Sequence, residues 1–190
     1  MLYGQVHLTL PAWFHDLQLQ DTYTTDHEKM ALAVELSRLN VEHRSGGPFG
    51  AAVFDANGRV ISVGVNRVVP QSCSVAHGEM MAYMTAQQRT QRPRLNTDTE
   101  GNFVGPITLA TSGQPCCQCY GATVWAGIDR LLIAARAEDV ESIAGFDEGP
   151  LPADWIGELN QRNIEVVTDL LRSDAIRVLE QYRDTVGTVY

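Results

Sequence analysis

Apolar positions along the chain change their spacing several times, and the changes mark out alternating helices and strands. Residues 1–25 read as an irregular arm around Leu10-Pro11-Ala12-Trp13-Phe14. Asp26 suits a helix cap, and the spacing predicts a helix from there to about His43, with Met30, Val34 and Leu36 among its apolar positions. Ser45-Gly46-Gly47-Pro48 breaks it. Residues 49–55 and 59–68 read as two strands joined by Asp55-Ala56-Asn57-Gly58, a strong hairpin signal. A loop with Pro70 and Ser72 leads to a helix beginning near His77. Residues 91–106 are rich in Pro, Asn, Thr, Asp and Gly and read as a loop; 107–111 is a short buried strand. Pro115 suits the first turn of a helix running to about Gly127. A strand over 130–136, a helix over 155–161, a strand over 164–168 and a helix over 174–183 complete the pattern. Such alternation predicts an α/β layered fold whose sheet is largely parallel after the first hairpin.

Composition narrows the class. At 190 residues the length suits one domain. Hydrophobic residues make up 44% and charged residues 19%, as in ordinary globular proteins. No run approaches the roughly 18 apolar residues of a membrane span. Residues 1–10 lack the basic and apolar regions of a secretory signal. Three of the four cysteines fall within 116–119, which suggests a metal site in a reducing, cytoplasmic compartment, not a disulfide framework. The formal net charge is −9 and the pI about 4.9. This argues against nucleic-acid partners, whose phosphates call for Lys and Arg. Arg89, Arg92 and Arg94 form one loose basic cluster and read as a solvated loop beside a helix end. A small neutral substrate suits the charge better.

The chemistry gathers in two short segments, His77-Gly78-Glu79 and Pro115-Cys116-Cys117-Gln118-Cys119. One imidazole and two thiolates supply three zinc ligands and leave a fourth position open, the mark of catalytic zinc. Glu79 is not needed as a ligand and is free to carry protons. Each ligand group sits at a predicted helix start. Cys116 and Cys119, three apart, share a helix face, and the positive helix end favours thiolate over thiol. Zinc in such a site lowers the pKa of its water to about 7, and two Cys and one His with an open position favour zinc over iron. Cys117 reads as a buried thiol and Cys73 as a loop or core residue. His7, His15, His27 and His43 lack ligand spacing and read as surface residues. Two duller readings compete: a closed structural zinc using Cys73 or Cys117, and a non-catalytic zinc-binding dimerisation scaffold. The intact Glu79 argues against both.

H-x-E…P-C-x-x-C is also the established signature of zinc deaminases. The resemblance extends to Gly47-Pro48-Phe49-Gly50-Ala51-Ala52-Val53, Asn66-Arg67-Val68, Ala76-His77-Gly78-Glu79, residues 120–127 and Gly145-Phe146-Asp147-Glu148-Gly149-Pro150. Over about residues 46–150 the chain resembles the cytidine deaminase-like superfamily, and within it the bacterial guanine deaminases. The resemblance implies a three-layer α/β/α sandwich with a mixed five-stranded sheet, one Zn2+ per chain, and usually a homodimer. It also implies a C-terminal tail, 184–190, that helps cover an active site. His77, Cys116 and Cys119 would hold zinc, and Glu79 would shuttle protons. Glu148 would bind the guanine amide and amidine edge and assist proton transfer. Asn66 would bind the purine edge, with Ala76 beside it. Phe49 and Trp125 would flank the ring, and Tyr190 would close over it. Each has a plainer rival: Asn66 as a strand end, Trp125 as core packing, Glu148 as an acidic surface turn, Tyr190 as a free end. The chain departs from these relatives at Gly78, where they carry Ala, and at Gly113-Gln114, where they carry a small residue and Glu. The expected reaction is deamination of guanine to xanthine and ammonia. Ammeline or another aminotriazine, or guanosine, comes second, and cytosine or cytidine third.

Overall fold

The computed structural model describes residues 4–189. Helix α1, Asp26–Glu42, begins just after Thr25. Thr25 Oγ1 accepts from Glu28 N at 3.2 Å, and the Glu28 carboxylate accepts from Thr25 N at 2.9 Å. This corrects the expectation that Asp26 is the cap. A reciprocal box satisfies two donors where a lone Asp satisfies one. Asp26 instead lies in the first turn and holds Arg130 through both carboxylate oxygens. Met30, Val34 and Leu36 are buried as expected.

Strands β1, Gly50–Phe54, and β2, Val60–Val65, form the hairpin. Asp55 Oδ1 accepts from Asn57 N and Arg59 N at 2.8 and 2.9 Å, and Gly58 takes a φ of +75°, which glycine adopts without strain. Helix α2, Val68–Gln71, is a single turn within the segment read as a loop. Pro70 is tolerated because a first turn does not use its N–H. Then come α3, Gly78–Thr90; β3, Thr108–Gly113; α4, Cys117–Ala126; and β4, Arg130–Ala135. A short α5, Ala137–Asp139, runs into a π-helical turn, Val140–Ala144, where the sequence pattern predicts no element. Helix α6, Trp155–Asn160, β5, Glu165–Val167, and α7, Arg172–Thr185, follow. The arm contains a 3₁₀ turn, Ala12–Asp16, and the Trp13 ring stacks on His43 at 5.7 Å.

The sheet order is β2-β1-β3-β4-β5. Strand β1 is antiparallel to both β2 and β3, and β3, β4 and β5 run parallel. Successive strand residues face opposite sides. Ala52, Phe54, Ala110 and Leu132 pack with Met30, Leu36, Val178 and Leu179 of α1 and α7. Ala51, Val53, Leu109 and Leu131 pack with Ala82, Tyr83 and Leu159 of α3 and α6. Three layers result. One close approach positions the site. A Cβ on Gly64 would lie 2.1 Å from Gly78 O and 2.4 Å from Ala82 N, so glycine lets α3 settle directly on β2.

Candidate active site

Phe49 stands just before β1, Asn66 just after β2 and Gln114 just after β3, because antiparallel β1 begins where β2 and β3 end. The N-termini of α3 and α4 point at this same sheet end. His77 is the N-cap of α3, and Cys116 is the N-cap of α4 with Cys119 three residues on. Pro115 therefore precedes the cap, where the sequence suggested it within the first turn. The shared cap position gives His77 and Cys116 extended backbone at the mouths of their helices.

His77 Nδ1 lies 3.4 Å from Cys116 Sγ and 3.7 Å from Cys119 Sγ. A tetrahedral ion with Zn–S near 2.3 Å and Zn–N near 2.05 Å sets S···N edges of about 3.6 Å. All three ligand atoms lie within 4.8 Å of one another. The donors are the soft set zinc prefers, so the residues fit the metal. Among the described residues neither Cys73 nor Cys117 joins the group, which leaves the fourth position open. A hydrogen bond from Cys119 holds the Cys116 thiol down at about 4, and His77 assists while burial opposes. Cys119, as donor in that pair and buried, is pushed up. Burial works to lower the His77 pKa, but Cys116 and the charge of Glu79 carry it above the usual range.

A cavity of about 270 Å³ opens beside this cluster, lined among others by Phe49, Asn66, Glu79, Gln114, Phe146 and Glu148. That is at the small end of ligand pockets, which run from about 300 Å³. Glu79 is buried, and burial first, then the Cys116 charge, raises its pKa. Glu148 is 6% exposed, and burial, with Cys116 and Glu79 nearby, pushes it up to about 9. Its carbonyl accepts from Cys117 N at 2.9 Å, which ties this segment to α4. An acidic surface turn is therefore excluded for Glu148. Asn66 is fully buried, and its Oδ1 accepts from Gly47 N at 3.3 Å and Val68 N at 3.2 Å. Two backbone donors fix the amide orientation and leave Nδ2 as the group that can donate into the cavity. Phe49 and Phe146 meet edge to face at 5.1 Å, and Phe146 rests against Tyr182 of α7 at 5.8 Å. Gln114 Oε1 accepts from Ala137 N at 3.3 Å, so the amide that stands in place of Glu keeps one acceptor on the α5 terminus.

Two expectations are corrected. Trp125 is 78% exposed and does not line the cavity. It lies six residues past buried Cys119, about 240° round the helix, so its ring leaves on the far side. Cys117 is exposed, not buried, since the faces of Cys116 and Cys119 take the inward positions. Ala76 is buried beside His77, and its carbonyl accepts from Arg67 N at 2.8 Å. Cys73 is half-buried, and His7, His15, His27 and His43 are exposed. Tyr190 lies outside the described residues. Phe146 and Gln114 also line the cavity, a role that sequence reasoning did not assign them. A signal for Phe146 existed: it lies two residues before Glu148, with exposed Asp147 between the two buried positions.

Residues 23–135 match the family profile of the cytidine and deoxycytidylate deaminase zinc-binding region. The guanine deaminase of Bacillus subtilis (strain 168) is 33% identical over 116 residues, 61% of this chain and 67% of that one. A solved structure of a guanine deaminase from Nitrosomonas europaea is 38% identical and superposes with a TM-score of 0.88, covering 97% of this chain and 99% of its own. Another solved structure, in complex with 2,6-diaminopurine, is 39% identical with a TM-score of 0.88 and covers 97% and 95% of the two chains. Among the described residues no helix is long and apolar enough to cross a membrane.

Proposed function

The chain belongs to the cytidine and deoxycytidylate deaminase zinc-binding family and is a zinc-dependent hydrolytic deaminase, and from that premise we propose that its substrate is free guanine, converted to xanthine and ammonia. The observation that carries this reading is the polarity of the cavity. A fixed Asn66 donor and a buried Glu148 carboxyl share one small space beside the three-ligand cluster. Guanine matches that pair. Its O6 and N7 accept, as Nδ2 requires, while N1–H and the 2-amine donate toward a carboxyl. A wrong base leaves one of these buried groups unpaired, which is where large discrimination arises. Likeness along almost the whole chain to a guanine deaminase supports the same choice.

His77, Cys116 and Cys119 would hold the zinc, which supplies a Lewis acid and a water acidified to a pKa of about 7. Glu79, buried at the head of α3, accepts the first proton of the attacking water and passes it to the ring nitrogen, then takes the second from the new C2 hydroxyl and delivers it to the departing amine. Burial suits the role, because it raises the pKa and so makes the carboxylate a stronger base toward the proton it must carry. Glu148 binds the amidine edge and, protonated, has a hydrogen to give. Phe49 and Phe146 wall the ring and exclude water. A single-ring aminotriazine such as ammeline presents a similar amide and amidine edge to a cavity this small, and is the second reading. Ammonia release by the purified protein separates them: guanine turnover with xanthine as product supports the proposal, and release from ammeline alone refutes it.

A further inference from the structure

Behind the ligand cluster two buried hydroxyls meet. Tyr83 lies six residues past His77 on α3, and Thr123 four past Cys119 on α4. Their hydroxyl oxygens are 2.7 Å apart, with the side chains 2% and 0% exposed. Thr123 Oγ1 donates to Cys119 O at 2.8 Å. The Thr123 proton is thereby used, so the phenol donates in the shared bond. Apart from the ligands, this is the side-chain hydrogen bond that joins α3 to α4 among the described residues. Ala82, Ala86, Leu131 and Ile133 pack in the same layer, and the charges of Glu79 and Cys119 reach the phenol from the site. An apolar pair of the same shape would be nearly neutral for stability there, so packing alone gives no reason for two hydroxyls.

A zinc site split between two helices does give a reason. His77 rides on one helix, Cys116 and Cys119 on the other, and the S···N distances change if either helix slides. We propose that Tyr83 and Thr123 are positioning residues for the metal centre: the chain Tyr83–Thr123–Cys119 sets the spacing of α3 and α4 just behind the ligands and slows loss of the ion. This rests on the reading of His77, Cys116 and Cys119 as the zinc ligands.

The test uses the full chain with zinc, comparing wild type with Thr123→Val, Tyr83→Phe, the double variant and Thr123→Ser. Zinc content is measured by atomic absorption, zinc release with a colorimetric chelator, and the melting temperature on zinc-free protein. Wild type and Thr123→Ser should release zinc within about twofold of each other. Thr123→Val and Tyr83→Phe should each release it about fivefold faster, the equivalent of one hydrogen bond at about 1 kcal/mol. The double variant should recover melting temperature, since no hydroxyl is left unpaired, yet still release zinc fast. Wild-type release rates in a folded double variant or in Tyr83→Phe would overturn the inference and leave the pair a packing feature. A wild-type chain that binds no zinc would overturn the metal reading first, and the inference with it.

Discussion

Replacing Asn66 by Asp tests the polarity of the cavity with little disturbance of the loop that forms it. In the native chain Oδ1 accepts from Gly47 N and Val68 N at 3.3 and 3.2 Å. A carboxylate keeps both acceptor contacts, whereas Ala would leave two buried N–H groups unpaired. The change falls on the other atom: the Nδ2 donor becomes an oxygen that faces the purine acceptors. Losing one hydrogen bond costs about 1 kcal/mol, and leaving a buried acceptor unpaired costs about 1–3 kcal/mol more. The total of about 2–4 kcal/mol corresponds to a fall in kcat/KM of roughly 30- to 1,000-fold. The assay is steady-state ammonia release from guanine over a series of pH values, with zinc content and melting temperature measured on the same preparation. Buried carboxyls keep their protons to higher pH, and a protonated Asp offers an O–H, so part of the activity should return as the pH is lowered. A folded, zinc-loaded Asn66→Asp protein with kcat/KM within about threefold of wild type at every pH would refute the assignment of Nδ2 to the substrate.

Other perturbations reach the remaining parts of the argument. Glu79→Gln should lower kcat by about 10²–10⁴-fold, the range for removing a general acid–base, with zinc content unchanged; full turnover would exclude Glu79 as the proton carrier. In the zinc-free chain Glu148 is raised from 4.5 to about 9, so the folded form holds a proton that the unfolded form has released. The stability from this group is complete below about pH 4.5 and lost as pH rises toward 9. Glu148→Gln should flatten that slope in urea titrations of zinc-free protein. Gly64→Ala places a Cβ 2.1 Å from Gly78 O; overpacking of this kind costs about 1–3 kcal/mol, or about 2–4 °C in Tm per kcal/mol, and a chain that melts at the wild-type temperature would show that α3 yields. Thr25→Ala removes half of the α1 capping box and should cost about 1 kcal/mol without changing turnover.

What the sequence determined by itself were features whose cause is local. The hairpin at Asp55–Gly58 follows from an Asp side chain that caps its own turn and a glycine that accepts positive φ. The zinc ligands were legible because a metal demands particular atoms at particular intervals, and i, i+3 on a helix is such an interval. The strands could be read because alternate residues must face opposite layers. Local rivalry explains the misplaced cap: Thr25 and Asp26 are neighbours, and only the reach of Glu28 back to Thr25 decides between them. Tertiary structure decided the rest. No local rule brings Phe49, Asn66, Gln114 and Glu148 to one cavity; the register of β1 between β2 and β3 places the first three, and the Cys117 N–Glu148 O bond to α4 places the fourth. Trp125 and Cys117 are respectable pocket and core residues by type, yet the rotation of α4 about buried Cys119 turns both outward. The orientation of the Asn66 amide likewise depends on two backbone donors, one of them 19 positions away in the chain. Ligand identity is a matter of side-chain chemistry, which residues carry with them, while the direction a group faces depends on what packs around it, and that exists only once the chain has folded.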